Sequence, residues 1–436
     1  FELPRALIPA DLERIEARMR DLLKNPQSFI YQELSREEAL HLFAEQPYKM
    51  DWLQDLQQNV ISIYRHRDFA DLCRGPHLES SASIEEGSFK LLKIAGAYWK
   101  GDEKRPMLQR IYGTVWPSKA QLEAYLYQQE EASRRDHRKL GKELELFFFH
   151  ETAPGMPYWM PKGLIILNQL INWWREVHDR EDYQEISSPL INSKKLWEIS
   201  GHWEHYREDM FVMNLGEDEV YGVKPMNCPN AMIMFKQKLH SYRDLPLRLS
   251  DCDALHRHER SGALHGLLRV QKFQQDDAHI FVAEEGIEAE FDGILNLVEE
   301  FYSVFGLSYR FRLATRPKDS IGNDELWEQA EGALKDVLHR KVGEAYELAE
   351  GDGAFYGPKI DILIKDALGR DWQMGTLQLD YQLPRRFECQ YIDASGKKRY
   401  PVVIHRVIYG SLERFIGILI EHSAGLLPLW LAPVQV

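Results

Sequence analysis

From Leu247 to Val282 the sequence reads as two strands joined by the loop Ser261-Gly262-Ala263-Leu264-His265-Gly266, and the strands carry an unusual set of side chains. Alternate residues of a strand share one face. Arg257 and Glu259 therefore fall together on the outgoing strand, and Arg269, Gln271, Phe273, Gln275, Asp277 and His279 on the returning one. A strand that merely covers a core lines that face with Val, Ile or Leu, because each buried polar group without a partner costs about 2–7 kcal/mol. A face this polar is read as turned toward a ligand. Singly, each residue is ordinary: an arginine in a hairpin is usually a surface charge and one phenylalanine is usually core.

Arginine forks bind phosphate oxygens, an aromatic ring stacks on a purine, and a carboxylate accepts from an exocyclic amine. Together they describe ATP held without a P-loop. The nearest approach to a P-loop, Gly351-Asp352-Gly353-Ala354-Phe355-Tyr356-Gly357-Pro358-Lys359, has the wrong spacing and a proline where a helix should begin. It is read as a turn offering Tyr356 and Lys359 to a substrate. Gly410-Ser411-Leu412-Glu413-Arg414-Phe415 opens a final helix in which Gly410 permits a close approach and Arg414 falls on the apolar side.

Pro189 after a long helix, Arg257-His258-Glu259 with its loop to Arg269 and Phe273, and Gly410 to Arg414 resemble the three signature motifs of class II aminoacyl-tRNA synthetases. More narrowly, Lys224-Pro225-Met226-Asn227-Cys228-Pro229, Gln275-Asp276-Asp277-Ala278-His279-Ile280-Phe281, Gly353 to Lys359 and the segment around His405 resemble the threonyl-tRNA synthetase family, along the whole chain. The resemblance implies a ligase that joins L-threonine to tRNA(Thr) at the expense of ATP. It implies Zn²⁺ on Cys228, His279 and His405, a ligand set that their spacing alone does not reveal. Three N/S ligands leave positions open for the amine and hydroxyl of threonine. Valine, lacking the hydroxyl, is then rejected, whereas serine is not.

By the same resemblance Asp277 receives the amino group, and Met226, Tyr356, Lys359 and Gln373 line the threonine pocket. Arg257 holds the α-phosphate and Arg269 the γ-phosphate of ATP, which arrives with Mg²⁺. Phe273 and Arg414 sandwich adenine, Glu259 reads its edge, and Gln275 borders the nucleotide. Arg257 and Arg414 serve the activation step, with His202 the candidate base and Gln378 its assistant in transfer to tRNA. The sequence departs from the family pattern at Arg260, Gln274 and Asn230-Ala231, none of them a named contact. Rival readings are another class II synthetase, seryl or prolyl, and a catalytically silent paralogue acting as a tRNA-binding or regulatory module.

Asp71-Leu72-Cys73-Arg74-Gly75-Pro76-His77 resembles half of the family's editing site for mischarged serine, with Asp71, Cys73 and His77 as its remnant. The partner HxxxH motif is not in this sequence. That absence, the initial Phe1 and the apolar ending from Leu427 to Val436, read as the start of a strand, lead us to expect a chain trimmed at both ends.

These residues need a scaffold, and 436 residues suffice for two or more packed units. With 44% hydrophobic and 28% charged residues, the composition is that of a globular enzyme. The run from Phe415 to Val434 is broken by Glu421, His422 and two prolines, so no membrane span is expected. Cys73, Cys228, Cys252 and Cys389 form no CxxC pair, which favours a reducing cytoplasm over a disulfide framework. A net charge of −14 excludes a broadly basic surface but not a local patch such as Arg134, Arg135, His137, Arg138, Lys139 and Lys142, a solvated helix face or a tRNA contact.

Helices are expected at residues 11–24, 119–145, 163–178, 287–305 and 323–338, the last capped by Asn323. Strands are expected at Ser188-Pro189 and over 309–313, 359–364, 370–379, 387–392 and 402–405, too closely joined for βαβ crossovers. The fold class is α+β: a class II antiparallel sheet flanked by helices, preceded by a small α+β editing-type remnant. The expected domains are 1–117 (partial editing type), 118–142 (linker helix), 143–428 (catalytic) and 429–436 (start of an anticodon-binding domain). Homodimerisation is expected through the helix near Trp173 and the Pro189 strand.

Overall fold

Strand alternation places one set of residues under helices and the opposite set around a cavity, and this division runs through the larger part of the chain. The structure, a computed structural model, describes residues 1–216, 219–366 and 369–435. It divides into two compact units, Phe1–Glu130 and Glu131–Val436.

The second unit is built on a nine-stranded sheet. Its strands in chain order are β1 (Gln184–Glu185), β2 (Leu247–Asp251), β3 (Ala254–His256), β4 (Lys272–Val282), β5 (Tyr309–Ala314), β6 (Tyr346–Ala349), β7 (Lys359–Lys365), β8 (Asp371–Asp380) and β9 (Val402–Ser411). Across the sheet they run β6-β5-β7-β8-β9-β4-β2-β1, with β3 also on β4. Pairing is antiparallel through the middle and parallel only at the two margins, β5 with β6 and β1 with β2.

Ile360, Ile362 and Ile364 of β7, Leu377 and Leu379 of β8, Ala278 and Ile280 of β4, and Ile404 and Ile408 of β9 are all buried in one core. That core also takes the apolar stripes of helices α1 (Pro161–Arg180), α2 (Ile287–Ser303), α3 (Asp324–Val342) and α4 (Leu412–His422). Burying each such aliphatic side chain contributes about 1.5–3 kcal/mol, so the alternation itself fixes which residues remain for the other face. Asn323 caps α3 by accepting the Leu326 N–H, as its sequence position predicts.

Several expected elements differ. Residues 119–145 are two helices, Lys119–Arg135 and His137–Glu143. The chain breaks at Asp136, whose carboxylate caps the second helix by accepting the Arg138 N–H. Ser188-Pro189 is irregular, the short strand lying before it at Gln184–Glu185. The stretch 387–392 holds only the strand Tyr391–Ile392, because the helix Leu383–Arg386, started by Pro384 in its first turn, occupies the preceding turn. Residues 427–435 form turns rather than a strand, and Val436 lies outside the described residues. Trp173 is half-buried and faces inward, tilted against Phe301 and Tyr409 and edge-on to Phe305 and Trp430.

The basic stretch is less open than its composition. Glu131 pairs with Arg134 and Arg135, and Asp136 with Arg138. His137 is buried: its Nε2 accepts the Leu267 N–H at 3.0 Å, and its Nδ1 donates to Glu421 at 2.7 Å. Asp136, His137 and Glu421 are close enough to hold an ion, but both imidazole nitrogens are already committed, so this cluster is a structural tie.

The first unit has the helices Pro9–Leu23, Arg36–Leu42 and Pro47–Asp55, and most of the helix Lys119–Arg135. A three-stranded sheet (Ile30–Ser35, Val60–His66, Phe69–Leu72) and a two-stranded ribbon (Phe89–Tyr98, Met107–Val115) complete it. Its small core is Ala39, Phe43, Leu53, Ile61 and Ile63. No helix among the described residues is long and apolar enough to cross a membrane.

Candidate active site

The polar face of β4, β7, β8 and β9 lines a cavity of about 570 Å³. Fifteen residues singled out in the sequence border it: Met226, Cys228, Arg257, Glu259, Arg269, Phe273, Gln275, Asp277, His279, Tyr356, Lys359, Gln373, Gln378, His405 and Arg414. Two do not. Gln271 lies before β4 begins, and its amide donates to Pro154 O instead. His202 is fully buried one side chain behind the wall, with Nε2 3.1 Å from Met226 Sδ and Nδ1 2.8 Å from Ser200 Oγ. Burial, then the nearby His405 and Arg257, pulls its pKa down to about 3, so the imidazole is neutral.

Arg257 and Glu259 sit just past β3 rather than in a strand. The Arg257 guanidinium lies 5.1 Å from the Phe273 ring centre and its Nε donates to Pro225 O at 3.3 Å. Glu259 accepts from Arg269 Nε at 3.0 Å. Arg414, on the first turn of α4, donates to Leu268 O at 2.8 Å and Gln373 O at 2.7 Å and lies over Trp372. Desolvation, then repulsion from Arg257 and Arg269, draws its pKa down to about 10. Three arginines converge here with little carboxylate to neutralise them, as a polyphosphate site requires.

Deeper in the cavity, one ligand atom each from Cys228, His279 and His405 lies within 4.8 Å of the others, and all three residues are buried. Cys228 opens the helix Cys228–Phe235, while His279 and His405 are direct partners across β4 and β9. Three features of these residues suit a metal ion. His279 Nδ1 is buried and has no hydrogen-bond partner among the described residues. His405 Nε2 donates to the buried Asp380 carboxylate at 2.9 Å, which fixes the tautomer that leaves Nδ1 as a lone-pair donor. Burial, then Asp277 and Asp380, pushes the Cys228 thiol up, and burial with His405 pushes His279 down. The set is two imidazoles and one thiol whose proton a cation would displace, which fits Zn²⁺.

Asp277 stands at the same end, accepting from Asn227 Nδ2 at 3.2 Å, with burial lifting its pKa to about 6 against the pull of His405. Tyr356 donates to Gln378 Oε1 at 2.7 Å. Lys359 and Gln373 are both held by Asp361, at 2.9 Å and 2.8 Å. Thr376, Ser411, Asp361 and Asp380 were missed in the sequence. Thr376, Gln378 and Asp380 alternate on β8, so the period-two rule that marked β4 would have found them.

Residues 211–423 match the tRNA synthetase class II core domain (G, H, P, S and T), and residues 61–112 the second additional domain of threonyl and alanyl tRNA synthetases. A threonine–tRNA ligase of Clostridium botulinum is 53% identical over 439 residues, spanning 100% of this chain and 68% of the relative. The chain belongs to the threonine–tRNA ligase family. The Acetivibrio thermocellus member is 51% identical with the same coverage. The structure described as the RNA binding domain of threonyl-tRNA synthetase from Cryptosporidium parvum superimposes with a TM-score of 0.67 at 47% identity, covering 69% of this chain and 75% of that one. The expected α+β class II architecture thus holds, and the seryl and prolyl alternatives do not.

In the first unit Cys73 Sγ lies 3.1 Å from His77 Nε2, and His77 stacks on Tyr64 with ring centres 4.0 Å apart. Asp71 is turned to Lys49 at 2.8 Å. Lys49, Asp71 and Cys73 border one pocket, in which Cys73 is paired with His77 and Asp71 with Lys49.

Proposed function

We propose that this chain activates L-threonine with ATP, forming threonyl-adenylate and pyrophosphate, and then passes the threonyl group to the 3′-terminal ribose of tRNA(Thr). The observation that carries this reading is one cavity holding a buried Cys–His–His triad beside converging arginines. A threonine carboxylate oxygen attacks the α-phosphorus, the bond to the β-phosphate oxygen breaks, and pyrophosphate leaves. Arg257 and Arg269 offset the charge on the phosphates, with Mg²⁺ accompanying the nucleotide. Phe273 and Arg414 hold adenine. Asp277 takes the amino group, and Met226, Tyr356, Lys359 and Gln373 shape the pocket.

Bound on Cys228, His279 and His405, Zn²⁺ supplies Lewis-acid positions that only an amino acid with a β-hydroxyl fills. In the second step the ribose hydroxyl attacks the adenylate carbonyl and AMP departs. His202 is the base we assign, with Gln378 assisting; since Met226 stands in front of it, that side chain has to move when the tRNA end enters.

Residues 1–117 are proposed as a partial editing-type domain, 118–142 as a linker and 143–428 as the catalytic domain, with 429–436 leading toward an anticodon-binding domain. The homodimer is proposed through the helix Pro161–Arg180, which carries Trp173, and the segment at Pro189; the exposed apolar side chains Leu164 and Ile165 on the one and Leu190 and Ile191 beside the other support it. The setting proposed is the cytoplasm, where a thiol such as Cys228 stays reduced.

Threonine-dependent exchange of pyrophosphate into ATP, followed by charging of tRNA(Thr), tests the reading. Exchange with threonine and serine but not valine is expected; absence of any exchange would leave a silent paralogue. Asp380→Asn is expected to weaken zinc retention about 10–100-fold by leaving His405 without its orienting carboxylate. Metal content after dialysis against graded chelator measures this, and unchanged retention would remove Asp380 from the assigned role.

A further inference from the structure

The two walls of the nucleotide cleft come from β4, which carries Phe273 and Gln275, and from the β9–α4 junction, which carries Ser411 and Arg414. The ladder between them is interrupted. Gln275 pairs with Ser411 and Asp277 with Val407, so Asp276 alone faces Ile408, Tyr409 and Gly410. In this gap main-chain groups lose their regular partners, and buried ones must be satisfied in another way.

Side chains do it, in both directions. Asp276, only 1% exposed, accepts the Ile408 N–H at 2.9 Å through one carboxylate oxygen and the Gly410 N–H at 3.1 Å through the other. Glu413, fully buried on the first turn of α4, reaches back and accepts the Gln274 N–H at 2.9 Å. Arg406 Nη1 stands 3.6 Å from Asp276, and Lys272 Nζ stands 3.9 Å from Glu413. Tyr302 of α2 donates to Ile408 O at 2.8 Å and closes the turn from below. Gly410 has φ +80°, and a Cβ there would meet Met374 O at 2.3 Å, so this turn accepts no side chain at that position.

We propose that Asp276 and Glu413 are positioning residues that form a reciprocal carboxylate clamp, each strand end receiving the other's amides, and that this clamp sets the separation between Phe273 and Arg414 across which the adenine ring is gripped. It rests on the ATP site proposed above. Neither carboxylate lines the cavity, so their effect on the nucleotide passes through the backbone they hold.

Glu413→Ala is expected to raise the KM for ATP in pyrophosphate exchange by about 10–100-fold, the scale of an ångström of misplacement. The KM for threonine stays within about twofold, because Asp277, His279 and His405 lie past the bulge, where the ladder is regular, and Cys228 is on a separate helix. Glu413→Gln keeps an oxygen facing Gln274 N–H and is expected to restore most ATP affinity. Asp276→Asn, of equal size, turns one amide N–H against another and is expected to raise the ATP KM by about tenfold. An unchanged ATP KM in Glu413→Ala overturns the clamp. So does a parallel rise in both KM values that Glu413→Gln fails to rescue, which marks a general packing role. If the unaltered protein shows no exchange, the ligase reading fails first and the clamp's purpose goes with it.

Discussion

Cys228→Ala is expected to empty the zinc site and lower threonine-dependent pyrophosphate exchange by about a thousandfold, with the KM for ATP little changed. The thiol is the one ligand of the three that contributes charge when it binds metal, and it belongs to a buried cluster with Met232, Phe235 and Phe281. Losing it leaves two imidazoles, too few for a stable tetrahedral site. A thousandfold loss corresponds to about 4 kcal/mol, a plausible size for direct coordination of the substrate's amine and hydroxyl. Inductively coupled plasma measurement of zinc and exchange kinetics on the same preparation give both halves of the result. In the unaltered protein valine should be used about 10⁴-fold less well than threonine, because it leaves a position built for a hydroxyl unfilled. Threonine use that survives complete loss of metal, or equal use of valine, would sink this account of specificity.

Arg257→Gln is expected to lower the rate of adenylate formation by about 10²–10³-fold, with zinc content unchanged. Its guanidinium is fixed by Pro225 O and by the Phe273 ring before any ligand arrives, so no reorganisation is needed as charge grows on the α-phosphate. Arg257→Lys is expected to recover little, since an ammonium lacks the planar fork and does not stack on Phe273 in the same way. Single-turnover measurement of adenylate formation separates this from slow product release. A fall of less than tenfold would mean that Arg269 and Arg414 carry the phosphate without it. The two substitutions divide the cavity: one disables the amino-acid end, the other the nucleotide end, and zinc content distinguishes them.

The sequence was most legible where a periodic pattern met an unusual side-chain set. The polar alternation of Phe273, Gln275, Asp277 and His279 was correct because strand geometry fixes the face of every second residue, and the same rule would have reached Thr376 and Asp380 on β8. It failed at Gln271 because the regular strand begins only at Lys272. Helix 119–145 failed at Asp136, whose side chain offers its own backbone a cap that helix continuation cannot match. Motif resemblance supplied what alternation could not, the grouping of Cys228 with His279 and His405.

What the sequence determined by itself was the family, the α+β class and the identity of fifteen of the twenty-two residues around the cavity, because local periodicity and long ordered motifs are written in neighbouring positions. What only the tertiary structure decided was which of those residues meet: that His279 and His405 face each other across two strands joined through most of the domain, that His202 is hidden behind Met226, and that Trp173 points inward. It also exposed Asp276, Glu413, Asp361 and Asp380, buried carboxylates whose partners are main-chain amides or distant side chains. Such groups are indistinguishable from surface acids in a linear chain, since burial and hydrogen-bond partnership are properties of contacts that exist only after the sheet has assembled.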